Sequence, residues 1–184
     1  MRKPADGELR KEEILGKCFK ILVSRGLEQI SIRDFTNATG LPSSSLYYWF
    51  RDKDEIILDA TEYGMNSIIS LLFKYASSHI NNIKDMCEGF PKLIKEHSAE
   101  LKIIIQMATS PMYGSSAVEM SEKFANFYDE YAIELSKQLS QPKEKIRIII
   151  DLFVSSIIDG VIWDDWDKLS SEIDFLLNMF IGDR

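Results

Sequence analysis

The chain has 184 residues, 45% hydrophobic and 28% charged, with a formal net charge of −7. That suits one soluble domain, or a small module on a larger body, and 9 Gly with 5 Pro are too few for a many-turned all-β fold. No charged-then-apolar leader with a small-residue cleavage site is visible, so a cytoplasmic rather than a secreted protein is expected. Cys18 and Cys87 are unspaced thiols in apolar helical patterns, as free buried cysteines of a reducing compartment would be. The 22 basic and 29 acidic residues are unevenly spread. Residues 1–60 hold ten of each sign, so the remainder carries the whole net charge and a DNA-facing surface on the first part is not opposed.

Residues 1–7 read as a polar arm and 8–25 as a helix with Ile14, Leu15, Cys18, Phe19, Ile21 and Leu22 inward, closed by Gly26. The stretch 31–53, SIRDFTNATGLPSSSLYYWFRDK, reads as two short helices joined by a tight turn. Ser31 is an N-cap that Asp34 can answer, and Ile32, Phe35 and Ala38 give the first helix one apolar face. Gly40 tolerates the left-handed conformation of a helix stop, and Pro42 suits the first position of the next helix. In that helix Leu46, Trp49 and Phe50 form a buried stripe, leaving Ser43, Ser44, Tyr47 and Tyr48 outward. Such a surface on so short a helix fits entry into a DNA major groove.

Asp52 then caps a long helix over residues 53–77, spanning nearly ~40 Å at ~1.5 Å per residue. Its stripe of Ile56, Ile57, Ala60, Tyr63 and Gly64 faces a head, and that of Ile68, Ile69, Leu72, Phe73 and Ala76 faces a body. The body reads as helices throughout: 82–97, bent or broken near Pro91; 98–109; 115–139; 143–163; and a last one capped by Ser170 or Ser171 and running to 181. Residues 143–163 are apolar almost all round, and Arg147, Asp151 and Asp159 exclude a membrane span. Such a helix needs cover on both sides, most simply from the same helix of a second subunit. Phe153, Ile157 and Val161, with Ile173, Leu177 and Phe180 of the last helix, are therefore expected in a four-helix homodimer interface.

The run Arg25-Gly26, Ser31-Ile32-Arg33-Asp34-Phe35, Thr39-Gly40-Leu41, Ser45-Leu46-Tyr47-Tyr48-Trp49-Phe50 and Lys53-Asp54 resembles the TetR-type (TetR/AcrR) bacterial transcriptional regulators in order, spacing and residue type. The resemblance covers residues 14–60; beyond them only length and helical character agree. It implies an all-α fold: a three-helix, helix-turn-helix DNA-binding head over residues 1–52, and a long helix leading into a helical ligand-binding and dimerisation body over 53–184. It also implies the four-helix dimer, and DNA contact at the positions of Ser45, Tyr47, Tyr48 and Lys53. From the residues themselves, Ser43, Ser44 and Tyr48 would face base edges, hydroxyls serving as donors or acceptors and ring edges meeting thymine methyls. Tyr47, Ser31 and Lys53 would hold phosphates, the last two at helix starts whose amides and dipole favour an anion. Arg33 and the basic residues Arg2, Lys3, Arg10, Lys11 and Arg51 could add backbone contacts. Leu41 to Phe50 contains no Lys or Arg. This weakens any reading of guanine by bidentate contact and leaves the operator sequence open.

For an effector, Tyr63, Met86, Phe90, Met107, Met112, Tyr113, Phe127, Tyr128 and Tyr131 are candidate walls of a pocket for an uncharged or weakly cationic, largely apolar molecule. The same residues also make an ordinary helical core. His79 and His97 have no partner at metal-ligand spacing, so no metal is expected and no cofactor is implied. The acidic cluster Asp159, Asp164, Asp165 and Asp167 reads as a solvated turn. No nucleophile elbow, phosphate loop or paired His-Glu motif asks for an enzyme. The expectation is a dimeric, ligand-responsive repressor of a double-stranded palindromic operator. The alternative is a helical interaction or adaptor protein that keeps the head for packing.

Overall fold

A computed structural model describes residues 4–79 and 81–181. Among these the chain forms nine α-helices and no strand: α1 Pro4–Arg25, α2 Ile32–Thr39, α3 Ser43–Trp49, α4 Lys53–His79, α5 Ile83–Glu96, α6 Ser98–Thr109, α7 Gly114–Leu139, α8 Lys143–Trp163 and α9 Trp166–Ile181. The chain groups into two compact units. One comprises Met1–Ser67 with Ile103–Ala117, the other Ile68–Lys102 with Val118–Arg184.

In the first unit α2 packs on both α1 and α3. Phe35, Leu46 and Phe50 are enclosed, as are Ile56, Ile57 and Ala60 of α4. A buried side chain of this size contributes about 1.5–3 kcal/mol, which offsets the poor stability of helices only eight and seven residues long. The unit also contains the end of α6 and the turn after it, with Ile103, Met107 and Tyr113 buried.

In the second unit α5 and α8 both pack against α9. Gly160 eases the close approach of α8 to α9, because a Cβ there would stand a tight 3.0 Å from Leu169 Cβ. The helix carrying Pro91 runs unbroken from Ile83 to Glu96 and keeps Pro91 buried. The last helix begins at Trp166, ahead of the expected Ser170 or Ser171. Asp165 caps it, accepting the Lys168 N–H at 3.0 Å, while Ser171 is already inside and bonds the Asp167 carbonyl. Asp164 ends α8 in the left-handed conformation and Asp159 pairs with Lys168, so three of the clustered carboxylates have structural work. No helix of the described residues is long and apolar enough to cross a membrane.

The residues expected at a subunit contact divide by burial. Ile157, Val161, Ile173 and Leu177 lie in the unit's own core, Val161 and Ile173 with no exposed surface. Phe153 is half-buried, and the side chain of Phe180 lies outside the described residues. The apolar side chains that α8 and α9 expose are Ile148, Leu152, Ile158, Ile162, Phe175 and Met179, with Trp163 at the end of α8.

Candidate nucleic-acid interface and effector cavity

Ser31 opens α2 with a reciprocal cap. Its Oγ accepts the Asp34 N–H at 3.3 Å, and the Asp34 carboxylate accepts the Ser31 N–H at 2.9 Å. Bonds from the Ser31 hydroxyl and N–H, aided by Arg25 and Arg33, hold the Asp34 carboxyl below its usual range. Gly40, at φ 70°, ends α2, its N–H bonding the Thr36 carbonyl at 2.9 Å. Pro42 stands at the N-cap of α3 in an extended conformation, one residue earlier than expected, and pre-sets the turn.

Leu46 and Phe50 pull α3 onto the core, which leaves Ser43, Ser44, Tyr47 and Tyr48 exposed and Ser45 half-buried. Tyr48, 81% exposed, stands edge-on to Trp49 with ring centroids 5.4 Å apart. Trp49 is half-buried rather than enclosed.

Asp52 caps α4 by accepting the Glu55 N–H at 2.8 Å, while Glu55 reaches back to the Arg51 N–H. The Lys53 ammonium donates to the Ile30 carbonyl at 3.4 Å. That contact brings the start of α4 beside the start of α2, so Ser31 and Lys53, 22 positions apart in sequence, occupy one place. Arg33 and Arg10 are exposed. Arg51 pairs with Asp52 at 2.9 Å, and Lys11 pairs with Asp59 at 2.8 Å while lying over the Phe50 ring. Both of these are engaged within the first unit. Arg2 and Lys3 lie outside the described residues.

The second unit encloses a cavity of about 110 Å³ between α4, α5, α7, α8 and α9. Its walls include Leu72, Phe73, Phe90, Ile149, Ile150 and Phe153, with no charged side chain among them. Of the candidate effector residues, Met86, Phe90 and Tyr128 line it. Tyr131 stacks on Phe73 at 3.6 Å, and Phe127 meets both rings edge-on, so these two back the wall. Burial pushes the Tyr128 phenol up, keeping it neutral, and Arg147 lies over its ring.

Tyr63, Met107, Met112 and Tyr113 belong to the other unit and do not line this cavity. Tyr63 closes over Gly16, Met107 is core, and Met112 is exposed. Tyr113 is buried and donates to Asp54 at 2.8 Å; burial and Asp54 push its phenol up to about 12. The aliphatic walls from α4 and α8 had no distinguishing signal in residue type. Helical spacing places Ile148, Leu152, Ile158 and Ile162 on one face of α8, but the opposite face is equally apolar.

Comparison with known proteins places this architecture. IcaR of Staphylococcus epidermidis, the HTH-type negative transcriptional regulator of the biofilm operon icaADBC, is 22% identical over 191 residues, covering 93% of this chain and 98% of its own. The reduced form of Escherichia coli NemR shares the fold with a TM-score of 0.65 at 13% identity, over 95% of this chain and 100% of that one. A TetR-family transcriptional regulator from Streptomyces coelicolor does so with a TM-score of 0.53 at 17% identity, over 94% and 98%. No family model matches the chain. The chain thus has the all-α fold of the TetR/AcrR-type regulators, and its likeness to them extends beyond the head over nearly the whole length.

Proposed function

We propose that this protein is a DNA-binding transcriptional regulator of the cytoplasm, a repressor that a small, largely apolar molecule releases from a palindromic operator. The observation that carries this reading is the outward set on α3, Ser43, Ser44, Tyr47 and Tyr48, flanked by the paired helix starts at Ser31 and Lys53. Residues 1–52 serve as the DNA-reading part and 53–184 as the effector-binding and dimerisation part. Ser43, Ser44 and Tyr48 address bases; Ser31, Arg33, Ser45, Tyr47 and Lys53 address the phosphate backbone. A regulator of transcription among the relatives, IcaR, supports the same reading.

A homodimer forms through the apolar side chains that α8 and α9 expose, because an accumulation of exposed apolar surface marks an interface. Two α3 helices then enter successive major grooves with half-site centres ~34–36 Å apart. The effector occupies the cavity walled by Met86, Phe90 and Tyr128, whose uncharged lining rejects ions by their desolvation cost. For release, it must bind the DNA-incompetent state more tightly than the competent one.

Footprinting the DNA upstream of the protein's own gene at two salt concentrations tests the regulator reading. A palindromic, salt-sensitive footprint is expected, since neutralised phosphates release counterions. Lys53→Ala should weaken it without dissolving the dimer, and Phe175→Asp should dissolve the dimer. Duplex binding that is absent at low salt would favour the interaction-protein alternative.

A further inference from the structure

The base-reading role of α3 rests on the function just proposed, and the helix's composition narrows what it can read. Major-groove discrimination uses few side-chain chemistries. Arg or Lys pairs bidentately with guanine, Asn or Gln with adenine, Asp or Glu accepts from cytosine, and apolar groups meet the thymine methyl. Residues 41–50, LPSSSLYYWF, contain none of the first six. Serine hydroxyls donate or accept with equal ease, so Ser43 and Ser44 sort bases poorly.

What remains is aromatic. Tyr47 is 48% exposed and Tyr48 81%, whereas Leu46 and Phe50 on the other face are enclosed. Tyr48 stands edge-on to the half-buried Trp49 and presents most of its ring to water. Arg51, just past the end of the helix, pairs with Asp52, while Arg33 lies on α2 and Lys53 starts α4 with its ammonium on the Ile30 carbonyl. Charge is therefore placed for phosphates and apolar surface for bases.

We infer that Tyr48, with Tyr47 beside it, is the specificity-determining residue and that it reads the 5-methyl groups of thymines. The half-sites are then T·A-rich where α3 lies, with no guanine fixed by that helix.

The test uses the full-length chain and an operator selected from random duplexes, remade with deoxyuridine in place of thymidine at single positions of each half-site. This removes the methyl and leaves base pairing intact. One or two positions per half-site should lose about fourfold in affinity each, the weight of one buried methyl-sized group. Tyr48→Ala, at an exposed position that folding does not need, should bind more weakly, stay salt-sensitive and lose the preference for thymine over uracil. A wild-type protein equally tight on thymine and fully uracil-substituted operators overturns the methyl reading while leaving DNA binding in place. Selection that yields no salt-sensitive duplex overturns both.

Discussion

The two units end and cover their helices in different ways. Around α2, α3 and the start of α4, every junction has its own device: the Ser31–Asp34 box, Gly40 at φ 70°, Pro42, and Asp52 answered at Glu55. Short helices need such devices, because nucleation costs more than one or two turns return. The second unit also caps α5 at Asn82 and α9 at Asp165 and ends α8 at Asp164, but it adds length. Its α7 and α8 have 26 and 21 residues, α8 starts without a side-chain cap, and its interior keeps a cavity of about 110 Å³. On the function proposed above, a surface that presents fixed side chains to a rigid duplex is specified residue by residue, whereas an interior that admits an apolar guest needs only an apolar pattern and room.

The largest expected effect falls on the tightly specified unit. Phe35→Ala removes an enclosed ring and should cost about 3–5 kcal/mol in a denaturant titration, and duplex affinity should fall with it. A loss under ~1 kcal/mol would mean that the α1–α2–α3 core collapses around the gap, which a close-packed head should not do.

Adding volume sharpens the contrast. A Cβ on Gly64 would stand 2.3 Å from the ring of buried Phe19, so Gly64→Ala should cost about 1–3 kcal/mol despite alanine's better helix propensity. The same operation beside the cavity has the opposite sign. Ala76 lines it, and Ala76→Leu should raise stability by about 0.5–2 kcal/mol while abolishing uptake of an apolar fluorescent probe. If Ala76→Leu destabilised as Gly64→Ala does, the two interiors would be equally full and the effector assignment would lose its support.

This difference also sets what the sequence could disclose. The head's caps, its turn and its outward residues are local chemistry at fixed spacing, so the Ser31–Asp34 pair and the exposed Tyr48 are legible in residues 31–53. In α8 two apolar stripes occupy opposite faces, one through Ile146, Ile149, Ile157 and Val161 and the other through Ile148, Leu152, Ile158 and Ile162. Nothing in residue type says which faces inward; the packing of α9 against α8 decides it, and it encloses Val161, Ile173 and Leu177 in the unit's own core. Tyr113 was illegible for a related reason. Its hydroxyl partner, Asp54, lies 59 residues away, and no periodicity reports so distant a bond.

The smallest expected effect separates the units by the cause of a titration. Asp34, half-buried in the first unit, and Asp129, exposed in the second, are both carboxyls held below their usual range. For Asp34 the first causes are hydrogen bonds from neutral Ser31; for Asp129 the side-chain bond from Lys143 comes first, with Arg147 adding to it. Each folded pKa lies below the unfolded one, so each contributes stability that is complete above the unfolded value and is lost as pH falls through the folded value, below about pH 4. In molar salt the Debye length shrinks to ~3 Å, which screens exposed ion pairs but not short hydrogen bonds to a backbone amide and a hydroxyl. Carboxyl-carbon NMR titrations should therefore show Asp129 returning toward its ordinary value with added salt while Asp34 stays depressed. Ser31→Ala should release Asp34 and cost about 1 kcal/mol of stability through the lost cap. Equal salt responses at the two carboxyls would mean that Arg25 and Arg33, rather than the Ser31 cap, hold Asp34, and that the start of α2 is set by charge instead of by its local sequence.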